Sequence, residues 1–175
     1  SQGIGVVIEE LNVCPDLDVA NNIFLGCIKN KFGVIDDKWA IEETKKILKE
    51  TVKLDVDPTS LMKDLSIADR QMVEIAKVVS KGCKIVVFDE PTSSLTDNEI
   101  HHLFEIIRKL REKGVGIIYI SHRMEELDEI ADRITVMRDG KLVQTMDYKD
   151  TNREMIIRLM VGREMTNVYP QYTRN

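Results

Sequence analysis

Residues 83–97 read CKIVVFDEPTSSLTD, an apolar run that ends in two adjacent acids and a segment of turn-forming residues. An apolar run of this length, bounded by polar residues, predicts a strand buried on both faces. A second such run, GIIYIS at 116–121, follows a helical pattern over 97–113 that Gly114 closes. Apolar strands that alternate with helices predict a parallel sheet covered on both faces. The fold class is therefore α/β.

A helical region precedes this part of the chain. Asp18 can cap a short helix that Gly26 ends, and Asp36 or Asp37 can cap a second helix through about Val52. A third pattern, ADRQMVEIAKVVSKG, follows a capping serine and ends at a glycine. Its apolar residues recur at helical spacing and are expected to form core, namely Met72, Ile75, Ala76 and Val79.

The two ends of the chain carry shorter signals. Residues 4–8 form a short β-like run, which ends abruptly at two acids. RITVMRDGKLVQTM predicts a β-hairpin, because Asp139–Gly140 is a strong two-residue turn signal. NREMIIRLMVG predicts a last helix, and the polar tail from Arg163 is expected to be loose.

Composition limits the class of protein. The 175 residues are 43% hydrophobic and 31% charged with a net charge of −5, which is typical of a soluble domain without a basic stripe for nucleic acid. Cys14, Cys27 and Cys83 lack CxxC and Cys/His metal spacing, so reduced thiols are expected. The apolar runs are far below the roughly 20 residues that cross a bilayer. SQGIGVVIEE has no basic segment or cleavage pattern of a signal peptide.

Polar side chains stand where the two apolar strands end. Asp89 and Glu90 follow the first strand, and Ser121 and His122 follow the second. Ligands of open parallel sheets bind at the carboxyl ends of the strands. The first acid can hold a hydrated Mg²⁺, the second can polarise an attacking water as a general base, and the histidine can hold a terminal phosphate or orient that base.

Each of these residues has a plainer interpretation when it is taken alone. Two acids often end a strand at the solvent boundary, and a histidine after a strand is usually a surface residue. Ser66 can be a simple helix N-cap, although free backbone N–H groups at a helix start also attract anions. The two roles of the serine are compatible.

The order of the motifs separates these interpretations. LSIADRQMVEIAKVV precedes the acids, TSSLTD follows them directly, and ISHRMEEL comes one helix later. This order resembles that of the ATP-binding-cassette (ABC) ATPases, in which a signature motif, a Walker B strand, a D-loop and a switch histidine follow one another. GIGVVIEELNVCPDLDVANNIFLG resembles the Q-loop segment of that family. LSIAxxQMVEIAK, DEPTSSLTDNE and MVGREM are similar to the first cassette of simple-sugar importers of the ribose and galactose type.

The resemblance implies a role for each motif residue. Asp89 would hold Mg²⁺ through water, Glu90 would be the general base, and His122 would contact the γ-phosphate of ATP. The signature residues, which would serve a nucleotide held by a partner cassette, are Leu65, Ser66, Ile67, Ala68 and Asp69. The D-loop, expected at a dimer interface, comprises Ser93, Ser94, Leu95 and Thr96.

Two features depart from the family pattern. Glu9 stands where the family has a glutamine that touches Mg²⁺ and the attacking water, so a carboxylate adds negative charge beside a triphosphate. No GxxxxGK[ST] occurs, and Gly140–Lys141 is followed by Leu142 in the predicted hairpin. The resemblance thus implies the C-terminal two-thirds of one cassette, an incomplete P-loop NTPase core with parallel strands plus a helical subdomain. We therefore expect weak or absent ATP binding and negligible hydrolysis. We also expect an open sheet edge or gap, which self-association could cover.

The resemblance also implies an organisation and partners. The expected parts are residues 1–13 (strand and Q-loop segment), 14–82 (helical subdomain), 83–162 (α/β core) and 163–175 (tail). The partners would be a second cassette, membrane permeases and, indirectly, a sugar-binding protein, at the cytoplasmic face of the membrane. Two alternatives stay open, a degenerate cassette that only docks to partners, and a non-transport ABC ATPase of DNA repair or translation, which usually has inserts or basic surfaces that this chain lacks.

Overall fold

The computed structural model describes residues 3–26 and 37–162, and the chain divides after His122 into two compact units. The first unit contains three strands, β1 (Ile4–Val7), β2 (Ile85–Asp89) and β3 (Gly116–Ile120), and four helices, α1 (Val19–Phe24), α2 (Asp37–Ile47), α3 (Ile67–Ser80) and α4 (Asp97–Glu112). A π-helical turn, Leu48–Val52, extends α2, and a 3₁₀ turn, Met62–Asp64, precedes α3. The second unit contains α5 (Met124–Ile130), β4 (Arg133–Arg138), β5 (Lys141–Asp147), a 3₁₀ turn (Tyr148–Asp150) and α6 (Arg153–Val161).

The three strands of the first unit form a parallel sheet in the order β1-β2-β3. Ile4 is opposite Ile85, and Asp89 is opposite Ile120, so β2 lies in the middle of this sheet. The prediction of an α/β fold with parallel strands is confirmed.

Helices α3 and α4 pack on one face of this sheet. Tyr119 of β3 has its ring centroid 6.4 Å from that of Phe88 and 6.2 Å from that of Phe104 of α4. Val78 of α3 lies against Gly5 of β1. Full burial of a phenylalanine such as Phe88 or Phe104 contributes about 1.5–3 kcal/mol, so this layer is the core of the unit.

The other face of the sheet is open, which corrects the expectation of a sheet covered on both faces. Its aliphatic side chains are 37–51% exposed, namely Ile4, Val6, Ile85, Ile118 and Ile120. An apolar run predicts that both faces of a strand can be buried, but it does not specify whether helices cover the second face. Among the described residues, none of the helices buries this face.

The helical region is held by its own small core and by one buried amide. Val19, Ile23, Leu48, Met62 and Val73 are buried between α1, α2 and α3. The fully buried Asn22 side chain donates to the carbonyl oxygens of Cys14, Leu17 and Asp18 and accepts from the Cys14 N–H at 2.7 Å. This network fixes the loop that leads from the sheet into α1, because buried backbone groups must be hydrogen-bonded.

The predicted caps are confirmed where the structure describes them. Asp18 accepts a hydrogen bond from the Asn21 N–H at 2.7 Å, and Ser66 accepts one from the Asp69 N–H at 3.1 Å. The predicted core residues Met72, Ile75 and Ala76 of α3 are buried, but Val79 is only half-buried. The buried face is also wider than predicted, because it includes Gln71, Val73, Glu74 and Val78. The predictions for Asp36, Cys27 and the tail from Arg163 lie outside the described residues.

The second unit is a hairpin packed by one helix. Strands β4 and β5 are antiparallel, and Asp139 and Gly140 have φ values of 51° and 71°, as the predicted two-residue turn requires. Helix α6 packs on β4. The Asp128 carboxylate accepts a hydrogen bond from Arg153 Nε at 2.6 Å and another from the Tyr148 hydroxyl. No helix in the described ranges is both long and apolar enough to cross a membrane.

Candidate functional site

The carboxyl ends of β2 and β3 bring a glutamate and a histidine together. The Glu90 N–H donates to the Ile120 carbonyl at 3.0 Å, which continues the strand pairing one residue beyond Asp89. His122 Nδ1 lies 3.1 Å from Glu90 Oε1. The histidine side chain is 69% exposed and that of the glutamate 32%, so the pair is open to solvent on one side. The structure therefore joins two of the predicted catalytic residues.

The backbone leaves β2 in an uncommon conformation. Glu90 has a φ of 45°, in the left-handed region that non-glycine residues seldom adopt. Such a conformation costs about 1–3 kcal/mol and persists only where the surroundings enforce it. Here the Ser93 N–H donates to the Glu90 carbonyl at 3.4 Å, and the pairing with Ile120 holds the other side of the residue. This strain at a predicted site residue is consistent with a functional position.

The contact between Glu90 and His122 orients the imidazole. With Nδ1 towards the carboxylate, Nε2 is on the opposite side of the ring and is available to a ligand. The carboxylate keeps its second oxygen for a water molecule. The carboxylate can therefore accept a proton from water, and an imidazolium with Nδ1–H towards Glu90 can donate a hydrogen bond from Nε2 to an anion at the same edge of the sheet.

Asp89 is the last residue of β2 and is half-buried on the open face. Within residues 3–26 and 37–162, no group of three or more His, Cys, Asp or Glu side chains is arranged to hold a metal ion. A cation at Asp89 would thus take most of its ligands from water and from a bound phosphate, as Mg²⁺ commonly does.

Glu9 lies at the same edge of the sheet. Val7 is opposite Phe88, and Glu9 and Glu90 each come two residues later. The Glu9 side chain is exposed. A carboxylate is therefore present at the end of both β1 and β2, and the one after β1 stands where the family pattern has a glutamine.

The segment after Glu90 leads into α4. Thr92 is buried, Ser93, Ser94 and Thr96 are exposed, and Leu95 is half-buried. The Thr96 N–H donates to Glu99 Oε2 at 2.7 Å, and the Thr96 hydroxyl contacts the same oxygen at 2.8 Å. This capping interaction fixes the start of α4, so the serines before it form an exposed turn on a rigid support.

The predicted signature residues form the first turn of α3. Ser66 and Ile67 are exposed, whereas Leu65, Ala68 and Asp69 are half-buried. The Ser66 hydroxyl donates to Asp69 Oδ2 at 2.7 Å while it accepts from the Asp69 N–H. The contacts of the serine are thus local to its own helix start, and its hydroxyl would have to leave Asp69 to reach an anion.

Sequence reasoning missed a buried acid on the same helix. Glu74 is 3% exposed, and both of its oxygens lie 3.4 Å from the Asn12 backbone nitrogen. Burial raises the pKa of the Glu74 carboxyl, against the opposing effects of the Asn12 hydrogen bond and of Lys77. The sequence did not signal this contact, because the partner of Glu74 is a backbone group in a loop that has no periodic pattern.

Comparisons with known proteins point to one family. The family model described as "ABC transporter" matches residues 1–93. The galactose/methyl galactoside import ATP-binding protein MglA of Clostridium perfringens is 48% identical over 169 residues, which are 97% of this chain and 33% of that protein. MglA of Fusobacterium nucleatum is 48% identical over 169 residues, 97% of this chain and 34% of that protein. The chain spans about a third of the length of these curated relatives.

Two solved structures share the fold. A dimeric ATP-binding cassette in a post-hydrolysis state with ADP and Pi matches with a TM-score of 0.70 at 22% identity, over 82% of this chain and 62% of that one. A dimeric bacterial ABC transporter cassette matches with a TM-score of 0.68 at 23% identity, over the same shares. At these identities the likeness concerns the fold alone. The family model covers more than half of the 175 residues, and the chain therefore belongs to the ABC transporter family.

Proposed function

We propose that this chain is part of the ATP-binding and ATP-hydrolysing subunit of an ABC importer for a simple sugar of the galactose or ribose type. The observation that carries the proposal is the contact between Glu90 and His122 at the ends of adjacent parallel strands. Both MglA relatives, whose names state ATP binding and galactoside import, align with 97% of the chain.

The proposed catalytic roles follow from the geometry. Glu90 polarises the attacking water, because its carboxylate is fixed by His122 and by the strained turn after β2. In its imidazolium form, with Nδ1–H towards Glu90, His122 donates from Nε2 to the γ-phosphate. Asp89 holds Mg²⁺ through water, one residue before the base. Glu9, after the end of β1, takes the Q-loop position, where the family pattern has a glutamine that touches Mg²⁺ and the attacking water.

The remaining motifs serve assembly in this proposal. The signature residues 65–69 bind the nucleotide held by a second cassette, and the D-loop residues 93–96 lie across that interface. Residues 1–13 form the strand and Q-loop segment, 14–82 the helical subdomain that docks on a permease, 83–162 the core and 163–175 the tail. The subunit then lies at the cytoplasmic face of the membrane, and a sugar-binding protein contacts it indirectly through the permeases.

These 175 residues by themselves should bind ATP weakly or not at all. They contain no GxxxxGK[ST], the loop whose amides and lysine supply most of the phosphate contacts in P-loop proteins. Calorimetric titration with MgATP should give no resolved heat, and the Glu90→Ala variant should behave identically. Micromolar binding by the unmodified chain would contradict this part of the proposal. The open sheet face makes self-association of the isolated chain a further expectation, which sedimentation checks.

A chimera tests the catalytic part. Residues 1–175 would replace the aligned region of MglA from Clostridium perfringens, and hydrolysis of MgATP would be measured. Glu90→Gln should lower the rate by about 10²–10⁴, the usual contribution of a general base. Glu112→Gln, which removes an exposed acid at the end of α4, should leave the rate unchanged. A Glu90→Gln chimera as active as its parent would show that the carboxylate is not the base.

One observation favours a second function. The carboxylate of Glu9 adds negative charge beside Glu90 at the edge where a triphosphate would bind. A cassette that only docks to partners would tolerate this charge. In the same chimera, Glu9→Gln should then leave a negligible rate unchanged, whereas an active cassette should hydrolyse at least as fast with the glutamine.

A further inference from the structure

Two side chains of α3 hold both backbone polar groups of a single residue. Asn12, in the segment that follows β1, places its backbone nitrogen 3.4 Å from each Glu74 oxygen. Its carbonyl oxygen accepts a hydrogen bond from Lys77 Nζ at 3.3 Å. Because residues three apart lie on the same face of a helix, the acid and the base reach the backbone of the same residue, through the two peptide groups that flank it.

The position of Glu74 argues against an incidental surface contact. The side chain is 3% exposed and lies on a helix whose neighbouring residues, Val73 and Ile75, are fully buried. Burying a carboxylate is costly unless it is paired and hydrogen-bonded, and an apolar side chain of similar size would avoid that cost. Glu74 is compensated by the backbone N–H of Asn12 and by the positive charge of Lys77.

This contact joins two parts of the proposed site. Asn12 comes three residues after Glu9, at the carboxyl edge of the sheet. Glu74 comes eight residues after Ser66, which is about 12 Å along the helix axis. A displacement of the segment after β1 would therefore be passed to the start of α3, provided that the contact holds.

We propose that Glu74 and Lys77 form a clamp on the backbone N–H and carbonyl of Asn12, which makes the Glu9 segment and the signature end of α3 move as one body. The two residues are positioning residues, since neither touches the proposed nucleotide site. The proposal rests on the proposed function for the roles of Glu9 and Ser66 in nucleotide binding, but the clamp itself is a property of the chain without nucleotide.

Hydrogen exchange on the intact 175-residue chain tests the clamp. Glu74→Met keeps the side-chain size and removes the acceptor, so the amides of 11–13 should exchange about tenfold faster or more, the effect of losing a hydrogen bond to a charged group. The amides of 75–79 within α3 should keep their exchange rates. A purely structural role would instead accelerate both sets of amides together, and that result would overturn the proposal, as would unchanged exchange in 11–13.

Two further variants keep the test decisive. Lys77→Met alters a half-exposed position and should accelerate exchange in 11–13 alone, so the proposal can fail even if Glu74→Met does not fold. Glu126→Gln is the matched control, because it neutralises a 2% exposed glutamate in the second unit and should leave 11–13 unchanged. Exchange is measured without nucleotide, so failure of the clamp and failure of the ATPase proposal are separate results.

Discussion

A close approach between α3 and β1 predicts the effect of a single methyl group. A Cβ added to Gly5 of β1 would overlap Val78 Cγ1 and lie 3.0 Å from Cys83 Sγ, inside the roughly 3.5–4.0 Å of normal carbon contacts. Val78 is 8% exposed and cannot move into solvent. Gly5→Ala should therefore push α3 away from β1.

The magnitude follows from two opposing effects. Overpacking a well-packed site costs about 1–3 kcal/mol. The smaller conformational entropy of the unfolded alanine chain offsets about 0.4–1 kcal/mol. The free energy of unfolding should thus fall by about 1–2 kcal/mol, which is a shift of the urea midpoint by about 1 M for a domain of this size.

The single tryptophan provides the assay. Trp39 of α2 packs against Phe24 at a centroid distance of 4.9 Å, so its fluorescence reports unfolding of the unit that contains Gly5. Gly116→Ala is the matched control in the same sheet, because its Cβ would make ordinary contacts of 3.5 Å with Ile85 and 3.6 Å with Lys84. Val78→Ala in the Gly5→Ala background should recover part of the loss. If Gly5→Ala and Gly116→Ala have the same midpoint, the close packing of α3 on β1 is refuted.

Two predictions concern pH. Burial raises the pKa of Glu74, so as the pH falls the native state binds this proton before the unfolded state does. The stability advantage of Glu74→Gln over the parent should therefore shrink between pH 7 and pH 4.5. A difference between the two urea midpoints, followed by Trp39 fluorescence, that stays constant over this range would contradict the prediction. Burial and the hydrogen bond to Asp128 raise the pKa of Tyr148 to about 12, so the stability it provides below the unfolded value of 10.0 is lost as the pH rises through 12. Ultraviolet titration of the phenols should show this last step, which Tyr148→Phe removes and Tyr119→Phe retains.

Local features of the fold were predictable because short-range chemistry determines them. Asp18 and Ser66 cap helices as their types suggest, and Asp139–Gly140 adopts the positive φ values that a tight hairpin turn demands. The parallel arrangement of β2 and β3 followed from the alternation of apolar strands with helices. The joint position of Glu90 and His122 followed in turn, since the carboxyl ends of adjacent parallel strands meet at one edge.

Features that depend on distant parts of the chain were not predictable in this way. Helices cover only one face of the sheet, and which helices pack there is not determined by the composition of the strands. The roles of Asn22 and Glu74 depend on backbone groups in a loop that has no periodic pattern. The left-handed conformation of Glu90 likewise arises from its surroundings, because its side chain disfavours it.

The open face of the sheet has a practical consequence for thermal melts. Environment-sensitive dyes fluoresce on exposed apolar surface, and they normally brighten when a protein unfolds. Here the native chain already presents the aliphatic side chains of three adjacent strands. Dye fluorescence should be high before heating and change little through the transition, whereas the emission of Trp39 should change sharply. A flat dye trace combined with a sharp Trp39 transition would thus be the signature of a folded chain.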